Sequence, residues 1–562
     1  MANKRKGKDE NAETFVVTFK LKTEKWQEDI LDKRFEFLRR MYNYAQHFLL
    51  GQYNNLKNSE EYKLAEERAK ESKKYVEKGK KKNKKAITVE EYKNLSKEEK
   101  GQYEEKCDYK PIYDLYKTYT FTMKGINDRD KKPLQITFTE YGITNFVSKL
   151  CQKSLGNKTY LEFGINSIMS QCLGKNIWAA WDKILFSPAK KIHFKRFGEL
   201  NTFSVRLNKG GFIGMLIDLK NGKILLKRNN RNGKHAEWMT IPLDTANPTD
   251  YEMYALKGGE KSIRVVTIAR KFERKNKYYV QFSIEGEKPQ KGRTLGKGKV
   301  GMDLGPSTVA VSSNNGVQID TLAQNYVDIQ AEERRISRKM DRSRRANNPQ
   351  CYNENGTFKK GERLTNFSKR YLKLKNKLKD LRRKGAAVRK LEHNIRANEI
   401  LKLGDTFITE KDQFDSLKKK AKETKVNEKG KFQSKKRFGK SIGNHAPSAF
   451  KTILKNKVKS LGGEFIEVST KNAASQFDFT NGEFTPHKLK ERNITLSNGN
   501  THQRDLLAAF NLQHIDYNNK DVKQYFVENM ERDYPIFCTL ERRELDKYRN
   551  GEKISRKSTI GI

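Results

Sequence analysis

Apolar and polar residues alternate in TFVVTFKLKT at 14–23, the pattern of a half-buried strand, and then shift to three- and four-residue steps through WQEDILDKRFEFLRRMYNYAQHFLL, the pattern of a helix. Residues 56–106 carry dense charge of both signs and read as a solvated helical insertion, with capping boxes at Thr88-x-x-Glu91 and Ser96-x-x-Glu99. Trp178, Trp181 and Leu185 recur at helical spacing in NIWAAWDKILF, which predicts packing into a core rather than base stacking. From about 200 to 287 the segments TFSVRL, FIGMLIDL, KILLKR, SIRVVTIARKF and KYYVQFSIEG alternate between Asn- and Gly-containing turns. They predict a small antiparallel barrel or sandwich that the N-terminal strand joins. KPQKGRTLGKGK at 288–299 reads as a linker.

A second pattern begins after the linker. VGMDLGPSTVAVSSNNGVQID at 300–320 gives three short antiparallel strands, with Asn315-Gly316 as the hairpin turn between the last two. Basic helices follow, then a strand DTFITE ending in Glu410, a helix over 446–461, a strand GGEFIEVS at 462–469, and an amphipathic helix HQRDLLAAFNL at 502–512. Three antiparallel strands, helix, strand, helix, strand, helix is the order of an RNase H-like fold, in which the first and fourth strands lie side by side.

That order gives meaning to Asp303, a carboxylate at the end of a buried strand, where its charge needs compensation. Strand pairing would bring Asp303 beside Glu410, with Asp505 facing both from the first turn of the last helix. Taken singly, Asp303 is a turn acceptor, Glu410 the start of an exposed loop and Asp505 a favourable helix N-terminal charge. Together they stand at three expected points of one strand order. Three ionised carboxylates in one cleft need divalent cations, and oxygen-only ligation favours Mg²⁺ or Mn²⁺ over zinc.

Composition narrows the partners. The chain has 562 residues, and 117 Lys and Arg stand against 69 Asp and Glu, a net charge of +48. The length predicts three or more domains, and the charge predicts a polyanionic partner, nucleic acid. No stretch approaches the length of a membrane-spanning helix, and MANKRKGKDE leads into no signal-peptide core, so no membrane role and an intracellular, cytoplasmic location are expected. The five cysteines are scattered and form no close pair, which predicts neither disulfides nor a thiolate zinc site. Between 331 and 390 there are 21 Lys or Arg and only 6 Asp or Glu. The one-sided excess marks Arg334, Arg335, Arg338, Lys339, Arg342, Arg344 and Arg345 as phosphate-contacting residues.

VGMDLG, the strand ending in Glu410, and QRDLLAAFNL resemble the three RuvC motifs of TnpB, the transposon-encoded RNA-guided nucleases, and of the related type V CRISPR effectors. The likeness extends to ISRKMDRSRRANNPQCYNENGTFKKGERL, to SIGNHAPSAFKTILKNKVKSLGGEFIEVSTK, and to WAAWDKILFSPAKKIHFKRFG before a wedge domain. It implies a multidomain α/β protein with a RuvC (RNase H-like) nuclease domain, an N-terminal β-barrel wedge domain and a helical recognition lobe. By that likeness residues 1–25 hold the first wedge strand and 26–189 the recognition lobe, with a charged insertion at 56–130. The wedge barrel then covers 190–297, and 298–468 form the RuvC domain with a basic helical insertion at 331–400. Residues 469–501 correspond to a target-loading element, and 502–562 to the third motif and tail.

The resemblance also implies catalytic metal ligation by Asp303, Glu410 and Asp505, a guide RNA, and a DNA target, double- or single-stranded, flanked by a short recognised motif. One departure stands out. TnpB carries two CxxC pairs in a zinc ribbon before the last motif, whereas residues 469–501 contain no cysteine, and His487 and His502 cannot replace four thiolates. No zinc is therefore expected. Two other readings stay open at this stage, an RNA-guided DNA-binding repressor and a structure-selective nuclease.

Overall fold

A computed structural model describes residues 14–77, 86–95, 103–128, 130–187, 191–206, 214–228, 237–257, 262–287, 292–412, 414–419, 423, 438–487, 491–518 and 523–553. The chain divides into two compact α/β units, Met1–Pro289 and Gln290–Ile562. The break falls in the stretch that reads as a linker.

In the first unit, strand β1 (Thr14–Lys20) leads into helix α1 (Lys25–Asn58). Helices α2 (Glu140–Phe163) and α3 (Ser167–Phe186) follow, then strands β2 (Thr202–Arg206), β3 (Met215–Asp218), β4 (Lys223–Lys227), β5 (Trp238–Pro242), β6 (Ile263–Glu273) and β7 (Lys275–Glu285). β1 pairs antiparallel with β7, from Thr14 opposite Glu285 to Lys20 opposite Tyr279, in a sheet of order β1-β7-β6-β2. β3, β4 and β5 form a second antiparallel sheet. The alternation of the N-terminal strand becomes burial of Phe15, Val17 and Phe19 beside Phe282, Ile268 and Ile224. Trp181 is fully buried, and its indole N–H donates to Gln46 at 2.8 Å, which removes the penalty of burying that donor. One apolar cluster runs from these helices into both sheets, so burial makes one unit of segments that read separately in sequence.

The charged insertion departs from the helical expectation. Besides helices Glu60–Glu71, Val89–Asn94 and Lys110–Thr118 it holds a sheet of Lys74–Glu77, Ala86–Ile87 and Tyr103–Lys106, and a hairpin of Thr120–Asn127 with Pro133–Thr137. Strands this short and rich in Lys and Glu give no clear period and little strand propensity. Non-local contact helps to hold them, as where Tyr75 stacks on Tyr92 with ring centroids 3.5 Å apart. The capping box of Thr88 and Glu91 forms in both directions, while that of Ser96 and Glu99 lies outside the described residues.

In the second unit, strands β8 (Lys299–Leu304), β9 (Thr308–Ser313) and β10 (Gly316–Thr321) precede helices α4 (Tyr326–Asn347) and α5 (Lys369–Ile400). Strand β11 (Thr406–Glu410), helix α6 (Pro447–Ser460), strand β12 (Glu464–Val468), and helices α7 (Arg504–Gln513) and α8 (Val527–Arg549) complete it. The sheet order is β10-β9-β8-β11-β12, with β8 parallel to β11 and β11 parallel to β12. One face packs on α6 through Val300, Met302, Phe407, Phe450, Leu454 and Val458. The other carries α7, where Ile408 meets Leu512. α8, in the tail that matched no motif, covers the edge strand: Ile319 N–H donates to Glu544 at 3.1 Å, and the Tyr548 hydroxyl donates to Ile319 O at 2.6 Å. Side chains thus satisfy backbone groups that an open edge would expose.

Candidate functional site

Strand register brings the first two carboxylates together. β8 pairs with β11 so that Gly301 lies opposite Ile408 and Met302 opposite Thr409. Asp303 and Glu410, each the next residue on, therefore leave neighbouring strands at one level, about 4.8 Å apart in the pairing direction. By the two-residue period of a strand, Asp303 shares a face with Gly301 and Glu410 shares one with Ile408. That is the face on which α7 lies. Gly301 permits the contact, because a Cβ there would meet Ala509 O at 1.9 Å and Gln513 N at 2.4 Å, both backbone atoms of α7. The Gln503 side chain caps α7 by accepting from Leu506 N–H at 2.7 Å, which places Asp505, 7% exposed, in its first turn.

The electrostatics show convergence. Burial, then the charge of Asp505, then that of Glu410 push the Asp303 carboxyl up to about 8, against the opposing pull of Arg504. Burial also raises the Glu410 carboxyl, while a backbone hydrogen bond from Ala474 and the charge of Lys451 pull it down. Asp505 is engaged otherwise: Arg504 donates to its Oδ1 at 2.9 and 3.2 Å, and Arg492 lies 3.6 Å from its Oδ2. Among the described residues no three His, Cys, Asp or Glu side chains close round a common point as they stand. The donor set nonetheless fits a hard divalent ion, since it offers only carboxylate oxygens and their mutual repulsion at Asp303 is what a cation would relieve.

Sequence reasoning missed the groups around this trio. Lys451 of α6 is buried, and its ammonium donates to Glu410 O at 2.9 Å and to Asp412 at 2.9 Å and pairs with Glu467 at 2.8 Å. It ties the end of β11 in place. The signal was available: Lys451 occupies an inward position of an amphipathic helix, between Phe450 and Leu454. Hydrogen bonds from Lys451 and Lys455 in turn hold the Glu467 carboxyl down at about 2.

The cysteine-free segment 469–501 builds its connections from other groups. Asp478 Oδ2 accepts from the Ser497 N–H and hydroxyl at 2.8 Å each, and its Oδ1 accepts from the Thr480 hydroxyl at 2.6 Å. Asn511 donates to Ala474 O and Phe477 O at 2.8 Å, fixing the segment to α7. His502 is buried between Glu541 at 2.5 Å and the Tyr534 hydroxyl at 2.7 Å, and His487 lies beside Glu491 at 3.9 Å.

The basic residues of α4 divide. Arg334, Arg335, Arg338, Lys339 and Arg342 are exposed, although Arg334 bonds Gln330 and Arg335 pairs with Glu332 at 2.7 Å. Arg344 and Arg345 are tied to Asp341 at 2.6 and 3.1 Å. Arg345 also donates to Gly356 O and lies over the Tyr352 ring, so it braces the loop that follows.

No protein-family model and no curated protein matches the chain. Among solved structures it is similar to Cas12f1 in complex with sgRNA and target DNA, at 13% identity over 90% of this chain and 99% of that one, with a TM-score of 0.43. It is similar also to the mini-RNA-guided endonuclease CRISPR-Cas phi3, at 11% identity over 55% and 57% of the two chains, TM-score 0.26. A third is Cas12i in complex with crRNA and double-stranded DNA, at 10% identity over 92% and 64%, TM-score 0.26. All three neighbours are Cas proteins, and at such identities the site in this chain stands on its own geometry.

Proposed function

We propose that this chain is an RNA-guided, divalent-metal-dependent DNA endonuclease. It binds a guide RNA, recognises a short motif beside its target, and cuts DNA at one RuvC-type site built on Asp303, Glu410 and Asp505. The observation that carries this reading is the placement of Asp303 and Glu410 at one level of β8 and β11 under α7, close enough to Asp505 that repulsion from both helps burial to push Asp303 to about 8. These carboxylates would hold Mg²⁺ or Mn²⁺, whose charge would favour ionisation of a water and stabilise the leaving 3′ oxygen of a phosphodiester. The chain's own groups do the rest. Lys451 fixes the Glu410 backbone, and Arg492 and Arg504 release Asp505 as they take up the charge of the scissile phosphate. The exposed residues of α4 hold the backbone of the guide or target strand. RNA guidance is supported by the motif resemblance and by a net charge of +48, and the Asp478 hydrogen bonds support a target-loading element that works without zinc.

The test compares protein alone, with cognate RNA and with scrambled RNA on one plasmid at physiological salt with Mg²⁺. Site-specific cutting should need cognate RNA, and Asp303→Asn, Glu410→Gln and Asp505→Asn should each abolish cutting while guided binding survives. Equal cutting without RNA overturns guidance in favour of a structure-selective nuclease. Guided binding with no cutting by the unmutated protein favours a repressor.

A further inference from the structure

β8 and α7 carry a second feature at their other ends. A polar cavity of about 290 Å³ lies beside Lys299 and Gln513, roughly 13 Å along the strand from Asp303 at 3.3 Å per residue. Its floor is an interlocked network. Gln513 accepts from the Ser312 hydroxyl at 2.9 Å and donates to Asn314 at 2.7 Å. Asn314 donates to Asp533 at 3.0 Å, and His514 Nε2 meets the same carboxylate at 3.1 Å. Gln513, His514 and Asp533 are all buried, so the floor is fixed before any ligand arrives.

The rim differs in kind. Lys297, Lys299 and Arg532 are exposed around it, against the one buried carboxylate, which Arg532, Asn314 and His514 already counter. Phe526 is 38% exposed; Lys299 Nζ lies over one face of its ring, 5.2 Å from the centroid, which leaves the opposite face for a base. The side chain of Asn529, in the first turn of α8, makes no hydrogen bond among the described residues. Asn315 donates through its amide nitrogen to Lys297 O and Leu403 O, leaving its side-chain oxygen open. Cations attract a phosphate, an aromatic face stacks a base, and open amide groups bond a base edge. The volume sits at the low end of ligand pockets, about 300–1,000 Å³, which suits one nucleotide and excludes a duplex.

We infer that this cavity binds a single unstacked nucleotide of a single-stranded nucleic acid. Its base lies on Phe526 with its edge at Asn315 and Asn529, and its phosphate lies among Lys297, Lys299 and Arg532. This rests only on the nucleic-acid-binding part of the proposed function and is independent of cleavage.

The test uses the full chain carrying Asp303→Asn, so that no outcome depends on cutting. Short single strands of RNA bearing 4-thiouridine, or DNA bearing 4-thiothymidine, are bound at elevated salt and irradiated, and the crosslinked peptide is mapped. A crosslink in the peptide holding Phe526 and Asn529 is expected, and the arm that gives it identifies the strand as RNA or DNA. Phe526→Ala should lose that crosslink and weaken oligonucleotide binding about 5- to 150-fold, the equivalent of about 1–3 kcal/mol per stacked base. Ile536→Ala, exposed on the same helix, should change neither. Oligonucleotides that bind but crosslink only elsewhere overturn this inference alone, and the map on Phe526-intact protein decides even if the alanine variant fails to fold. Inorganic phosphate that displaces the crosslink as well as a nucleoside monophosphate does also overturns it, by removing any role for the base. A chain that binds neither strand overturns this inference and the proposed function together.

Discussion

Replacing Gly301 by alanine should move the candidate catalytic elements apart without altering any catalytic group. The added Cβ would sit 1.9 Å from Ala509 O, where real Cβ atoms essentially never approach below 3.0 Å, so β8 and α7 must separate by at least about 1.1 Å. The obstructing atoms are backbone, and no rotamer change relieves them. Overpacking a core costs about 1–3 kcal/mol, and a clash with a helix backbone belongs at the upper end, about 3 kcal/mol. The same separation displaces Asp505 from Asp303, and a misplacement of about 1 Å lowers rates on the order of 100-fold. Gly443→Ala is the control, since its Cβ would enter open space. Denaturant midpoints, guided DNA binding and cleavage in Mg²⁺ are measured for both variants. Gly301→Ala should lose stability and cut about 100-fold more slowly while binding is retained, and Gly443→Ala should do neither. Unchanged stability and cutting in Gly301→Ala would refute the close packing of β8 on α7, and with it the placement of Asp505.

Asp303 gives a pH signature in chelator: its carboxyl is raised in the fold to about 8 from an ordinary value near 3.8. Its contribution is therefore fully present below about pH 4 and is lost as pH rises toward 8, by up to about 1.4 kcal/mol per unit. Asp303→Asn should show a shallower fall in melting temperature between about pH 5 and about pH 8, and an identical slope would count against the raised carboxyl. Lys451→Met removes a buried ammonium from the Glu410 carbonyl and from part-exposed Asp412, while half-buried Glu467 keeps Lys455, so it should destabilise by about 1.5–3 kcal/mol, with cleavage falling further than guided binding; a neutral effect on both would show that Lys451 does not position Glu410. Asp478→Ala should free Thr480 and Ser497 from their shared carboxylate and reduce cleavage, while a zinc chelator leaves the unmutated protein's fold intact and elemental analysis finds well under one zinc per chain, with stoichiometric zinc the contrary result. Neutralising Arg334, Arg335, Arg338 and Arg342 together should weaken nucleic-acid binding equally across sequences and flatten its salt dependence; a loss confined to one sequence would indicate base reading.

The sequence by itself determined what depends on near neighbours along the chain. Alternation marked β1 and the strands of the first unit's two sheets, short apolar runs marked those of the second, and helical spacing put Trp181 in a core. Asn315-Gly316 marked the hairpin of β9 and β10 but one residue late, since the turn residues are Asn314 and Asn315 and Gly316 opens β10 opposite Ser313. The order of elements was enough to align Asp303 with Glu410, because parallel pairing of β8 and β11 leaves the ends of both strands at one level. Tertiary structure alone decided the rest. Gly301 reads as an ordinary strand residue until α7 comes to lie on it. Lys451 reads as one more lysine until its helix turns it toward the end of β11. The contact of Arg492 with Asp505 and the cover of β10 by α8 were equally silent in sequence. So were the strands of the charged insertion and the cavity beside Lys299. Each joins segments whose local patterns carry no record of one another, since hydrophobic periodicity fixes which face of an element is buried but not which backbone atom or charge it will meet there.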